Sequence, residues 1–228
     1  MTRAECVAMV TDLLFEANAS VQSALFTSTE INRVVDHANQ KVWRDCVAAN
    51  ASFWTKRSAS LTFVGSNVYF DFSGSAVDAD GVYDITYAEQ NYNGSWIEIP
   101  PSKPNDRKLT ELAWPTASGL VVPSAYYLIG EKFYVTPQIN SNFTLRLEYV
   151  PNLPVLAADS TALLGGKLTT FHALVGYEAA LVMCAKDESM KQGSMITKLR
   201  DEVQRQLLSF ITNRPKHRGS QISFRPYY

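Results

Sequence analysis

Histidines, cysteines and clustered carboxylates are the side chains with which a chain of this size would do chemistry, and in these 228 residues they are thinly spread. His37 stands beside Asp36 and four residues after Arg33 in a segment of helical periodicity, where a lone histidine reads as a partly exposed or core residue rather than a proton carrier. His172 is followed by Glu178 six positions on, which is not the three- or four-residue spacing that places two metal ligands on one helical face. His217 belongs to a basic segment and adds to its charge. Cys6, Cys46 and Cys184 lie far apart with no Cys-x-x-Cys pair, so they read as buried thiols of a reducing cytoplasm rather than zinc ligands or a disulfide framework. Asp78, Asp80 and Asp84 lack the glycine and terminal glutamate of a calcium loop and read as a solvated turn. Gly165-Gly166 has no strand before it, as a phosphate-cradling loop requires, and reads as a hinge. Gly-x-Ser-x-Gly, Walker, His-Glu-x-x-His and Gly-x-Gly-x-x-Gly patterns are absent from the sequence. The expectation is therefore a protein that is no enzyme, with no catalytic residue, metal or cofactor.

With 46% hydrophobic and 19% charged residues, disorder is excluded as the answer for the whole chain. The longest apolar stretches, such as residues 179–185, fall far short of the roughly 20 residues that cross a bilayer. Glu5, Asp12 and Glu16 interrupt the apolar run that a secretory signal needs, so the mature chain is expected to begin near Met1 and to have no membrane partner. Charge is unevenly distributed. Residues 1–57 carry six basic and six acidic side chains, residues 58–160 carry five and eleven, and residues 161–228 carry ten and five.

The elements follow from periodicity. Thr2 to Glu5 and Thr27 to Glu30 both match a capping box, in which a threonine hydroxyl accepts an amide proton while the glutamate accepts from the cap residue. Helices are predicted after each: one carrying Val7, Val10, Leu13, Leu14 and Ala17, the other Ile31, Val34, Val35, Ala38, Val42 and Cys46. From Ser58 the period becomes two, predicting a hairpin of residues 61–63 with 68–72. A second hairpin is predicted from residues 82–87 and 95–99, turning through Asn93-Gly94, and then a meander of 126–129, 132–136 and 143–150. Prolines 100, 101, 104, 115 and 123 break the ladder between them, with one short helical turn expected at residues 109–114. Helical stripes return at Leu168, Phe171, Leu174, Val175, Ala179, Val182 and Met183, and at Met195, Leu199, Val203, Leu207 and Phe210, the latter predicted to face a partner. The fold class is α+β. Residues 1–57 and 160–213 are expected to build a discontinuous helical bundle domain, with an antiparallel β domain, 58–159, inserted into it.

Residues 214–228 form an extended tail without a period. Arg214, Lys216, Arg218 and Arg225 meet no acid there, and Phe224, Tyr227 and Tyr228 give it more aromatic weight than a frayed end carries. Arginines that pair with carboxylates and aromatics that fill pockets make a docking peptide.

The order of elements resembles the head-to-tail connector proteins of tailed bacteriophages, the adaptor or neck proteins, above all podovirus-like ones. Ala125-Tyr-Tyr-Leu-Ile-Gly-Glu-Lys-Phe-Tyr-Val-Thr-Pro137 is similar to a hairpin of that family, and Phe143-Thr-Leu-Arg-Leu-Glu-Tyr-Val-Pro151 to the strand after it. Phe171-His-Ala-Leu-Val-Gly-Tyr-Glu-Ala-Ala180 resembles the family's return to its helices. The resemblance implies a structural virion protein at the head-tail junction, forming a homo-oligomeric ring, expected to be twelvefold, below the portal protein. Tail, nozzle or fibre proteins would bind the other side, and genomic DNA would pass through the channel without specific binding. It further implies that the carboxyl-terminal extension reaches the portal, which places docking on Arg214, Lys216, Arg218, Phe224, Arg225, Tyr227 and Tyr228. The alternative reading is another structural protein of the tail tube, nozzle or fibre attachment.

Overall fold

The computed structural model describes residues 1–15, 26–64, 69–72, 77–102, 123–136, 142–186 and 190–213. The short helical turn expected at 109–114 and the docking residues of 214–228 lie outside them. Four α-helices and two antiparallel sheets among the described residues make the fold α+β. The chain forms two compact units, Met1–Phe53 with Leu153–Lys216, and Trp54–Asn152.

In the helical unit, α1 (Arg3–Phe15) and α2 (Ser28–Ala49) begin where the capping signatures place them. Thr2 Oγ1 accepts from the Glu5 amide at 3.3 Å and Glu5 Oε2 from the Thr2 amide at 2.7 Å. Thr27 Oγ1 accepts from the Glu30 amide at 3.2 Å. The stripe Ile31, Val34, Val35, Ala38, Val42 and Cys46 is buried, joined by Trp43 and Val47. Two further helices follow, α3 (Ala173–Lys186) and α4 (Met190–Thr212). α3 is apolar on nearly every side, and it packs against all three other helices. Gly176 admits α1 closely, since a Cβ there would stand 2.8 Å from Met9 Sδ. The α4 stripe is divided: Leu207 is buried with Ile196 and Ile211, whereas Met195, Leu199 and Phe210 are exposed.

The strand unit holds β1 (Lys56–Arg57), β2 (Leu61–Phe63), β3 (Phe70–Asp71), β4 (Val82–Tyr92), β5 (Ser95–Glu98), β6 (Ala125–Ile129), β7 (Lys132–Thr136) and β8 (Phe143–Pro151). One sheet has the order β1-β8-β4-β5, with β2 also on β8, and the other β3-β7-β6. The β4–β5 hairpin turns at Asn93-Gly94, both with positive φ, as an Asn-Gly turn requires. Two expected pairings are replaced. β2 pairs with β8 and β3 with β7, so Leu61–Phe63 and Phe70–Asp71 enter different sheets instead of forming the expected hairpin. β6 and β7 do form a hairpin, but β8 leaves the expected meander to lie between β1 and β4. Its alternation explains the central place: Leu145, Leu147 and Tyr149 are buried, while Arg146 and Glu148 keep their charged ends on the other face. The core joins both sheets through Phe63, Phe72, Ile85, Phe133, Leu145 and Leu147.

Candidate functional site

The helix that leads to the segment expected to dock is α4, which ends at Thr212. Ile211 is fully buried, and its carbonyl accepts a hydrogen bond from Asn50 Nδ2 at 3.1 Å, tying the last turn of α4 to the end of α2. The Phe210 ring meets Phe171 at a centroid distance of 5.5 Å. The Asn213 amide donates to Ser209 O at 3.1 Å, so the helix closes its own last turn before residue 214. The exposed side chains Met195, Leu199 and Phe210 of α4 and Val182 of α3 leave apolar surface on the same helical pair.

His37 is on the exposed face of α2. His172 is buried, with Nε2 2.6 Å from the Lys167 carbonyl and Nδ1 3.0 Å from the Met1 amine. The first bond requires a proton on Nε2, which leaves Nδ1 of the neutral ring as the acceptor. Burial holds its pKa below the ordinary histidine value, outweighing the opposing pull of the Lys167 carbonyl. The unfolded chain therefore takes up this proton first as pH falls. Stability from this site should be complete above about pH 6.5 and decline below it. In His172→Gln, which keeps a donor for Lys167 O, the fall in melting temperature between about pH 6.5 and 5 should be shallower than in the parent.

Cys6, Cys46 and Cys184 are buried, and burial pushes the Cys6 and Cys46 thiols up to about 12, leaving them neutral and unreactive. Asp78 accepts from Lys56 Nζ and Tyr149 OH, both at 2.9 Å, and from the Asp80 amide at 3.1 Å, a turn closed by protein donors. Among the described residues no group of three His, Cys, Asp or Glu side chains is placed to hold a metal ion.

Two buried carboxylates escaped the sequence reading. Glu178, at the centre of α3, receives Lys41 Nζ of α2 at 2.6 Å and Arg200 Nη1 of α4 at 3.2 Å. An acid on an otherwise apolar stripe was the available signal, but its two cations come from residues 137 before and 22 after it. Glu178→Ala should lower stability by about 2–3 kcal/mol in urea titration, because Arg200, three-quarters buried, is left with only the exposed Asp201 carboxylate, 2.7 Å from its Nε. Lys41→Ala should cost under about 1 kcal/mol, since Lys41 is half exposed. In the strand unit, Glu89 of β4 is held by Arg57 and, at 3.3 Å, by Arg146, whose guanidinium lies 3.8 Å from the Trp96 ring centroid. Both carboxylates are saturated by protein cations and serve as crosslinks between elements.

No helix among the described residues is long and apolar enough to cross a membrane. A family model described as SU10 adaptor protein matches residues 1–218. No curated protein matches the chain.

Proposed function

We propose, because the chain belongs to the SU10 adaptor protein family, that this phage structural protein is the head-to-tail adaptor that joins the portal vertex to the tail. The observation that carries the reading is the match over residues 1–218, which takes in both units and reaches into the carboxyl-terminal segment. Copies assemble into a ring, twelve to match the portal, and the ring continues the channel through which the genome passes without sequence-specific contact. The saturation of Glu178 and Glu89 by protein cations fits a scaffold rather than a catalyst. Residues Arg214, Lys216, Arg218, Phe224, Arg225, Tyr227 and Tyr228 dock on the portal protein, and the strand unit meets the tail, nozzle or fibre proteins. The protein is a component of the virion neck, made in the cytoplasm of the host bacterium.

Sedimentation of the full chain with the portal complex of the same phage tests this. Saturable binding at one chain per portal subunit is expected. A chain that stays at the meniscus while the portal sediments would remove the adaptor reading.

A further inference from the structure

Residues 163–168, which lead the chain toward α3, form the most strained backbone among the described residues. Leu164 (φ 50, ψ 32), Gly165 (φ 61), Gly166 (φ 75) and Leu168 (φ 56, ψ 40) all lie in the left-handed region. Glycine enters that region freely, and Asn93, the other non-glycine residue there, sits in a hairpin turn that favours asparagine. Leucine has no such reason, because its Cβ crowds the following carbonyl oxygen. The surroundings therefore impose this conformation. The Leu164 amide donates to Oδ1 of Asn39, a buried α2 side chain, at 2.9 Å. The Lys167 carbonyl accepts from Nε2 of buried His172 at 2.6 Å, and Lys167 Nζ donates to Phe53 O at 3.2 Å. Leu164 is fully buried, so its side chain gains from the turn, but Leu168 is only half-buried and bears the left-handed strain with less return.

We propose that residues 163–168 are a conformational latch: a strained turn that Asn39 and His172 hold closed in the free chain, and that opens to relaxed backbone when the protein docks in its assembly. The inference rests on the adaptor reading above. Strain held in the closed turn lowers the free-energy cost of opening it, so a partner that binds the open state spends less of its binding energy on the change. The clamp suits release, since it consists of a few hydrogen bonds whose donors and acceptors water can satisfy once the turn opens.

Substitutions in the full chain shift the two states in opposite directions. Leu168→Gly relieves the left-handed strain of the closed turn, so the closed state gains on the open one and binding to the portal complex should weaken about fivefold to thirtyfold. Gly165→Ala and Gly166→Ala add strain to the closed turn alone, and a Cβ at either position meets nothing nearer than Pro154 Cδ at 3.8 Å or Ala162 Cβ at 3.9 Å. They act through the backbone rather than by collision, and should lower the melting temperature while tightening binding by a similar factor. Hydrogen exchange supplies a second reading: the Leu164 amide should be protected in the free chain and lose that protection in the portal complex. Melting shifts with binding unchanged within twofold, or protection of Leu164 that persists in the complex, would overturn the latch and leave the adaptor reading standing. Failure of the unsubstituted chain to bind the portal would instead remove the adaptor reading, and with it the docking event to which the latch is coupled.

Discussion

A chain ending at Asn213 is expected to fold as the full chain does and to lose portal binding by about a hundredfold or more. The first half of this expectation follows from α4. Its last turn is closed by the Asn213 amide on Ser209 O, and the Ile211 carbonyl is satisfied by Asn50, all within residues 1–213. Leu207 and Ile211 remain buried, so the cut removes none of the described core. The second half follows from composition. Binding energy concentrates on a few aromatic and arginine anchors, each worth about 2 kcal/mol or more, and residues 214–228 hold Phe224, Tyr227 and Tyr228 beside three arginines. Loss of two such anchors already exceeds the hundredfold, which corresponds to about 2.7 kcal/mol. Sedimentation of both chains with the portal complex measures the binding, and thermal unfolding of each alone measures the fold. Undiminished binding by the shortened chain would move docking away from these residues. Substituting Arg214, Lys216 and Arg218 together by alanine should weaken binding mainly at low salt, because exposed charges act through a screened field. Replacing Phe224, Tyr227 and Tyr228 by alanine should weaken it at every ionic strength.

Phe133→Ala is expected to destabilise the strand unit by about 3–5 kcal/mol. Phe133 is fully buried on β7, opposite Phe70 of β3 in register, and its ring stacks on Tyr126 of β6 with centroids 4.8 Å apart. It therefore touches both neighbours of the central strand of its sheet, as well as the core shared with β4 and β8. Removing the ring loses its transfer free energy, leaves a cavity and breaks the aromatic pair. Tyr126 has no simple way to fill the gap, since its hydroxyl is committed toward the Ile85 carbonyl at 3.5 Å. Urea denaturation followed by circular dichroism measures the loss. Phe133→Leu, which keeps most of the volume, should lose under half as much.

The local elements were legible because their causes are local. Two threonines with glutamates three residues on placed the starts of α1 and α2, since the whole capping box lies within four residues. Asn93-Gly94 placed the β4–β5 turn for the same reason: the positive φ values are a demand on two adjacent residues. The apolar stripe of α2 is buried as its period requires. Of the candidate site, the position of its root was legible, since Pro215 ends the helical pattern and α4 reaches Thr212.

The pairing of strands was not legible. Period two in residues 61–63, 70–72 and 143–150 says which side chains share a face, and says nothing about which backbone accepts their hydrogen bonds. Short separation favoured hairpins, but β2 pairs with β8 from about eighty residues away because Leu61 and Phe63 bury best beside Leu145 and Phe143. Glu178 and Glu89 were illegible for a related reason: a buried carboxylate is permitted only by cations that the fold itself delivers. The left-handed Leu164 and Leu168 belong with them, since the side chains that hold that turn, the buried Asn39 and His172, are brought to it by the fold. The sequence by itself thus determined the helices, the faces of the strands, the α+β class and the family resemblance, all properties of neighbouring residues and their order. The tertiary structure alone decided the partners of each strand, the buried charges and the strained turn, because those depend on free energies shared between residues far apart in the chain.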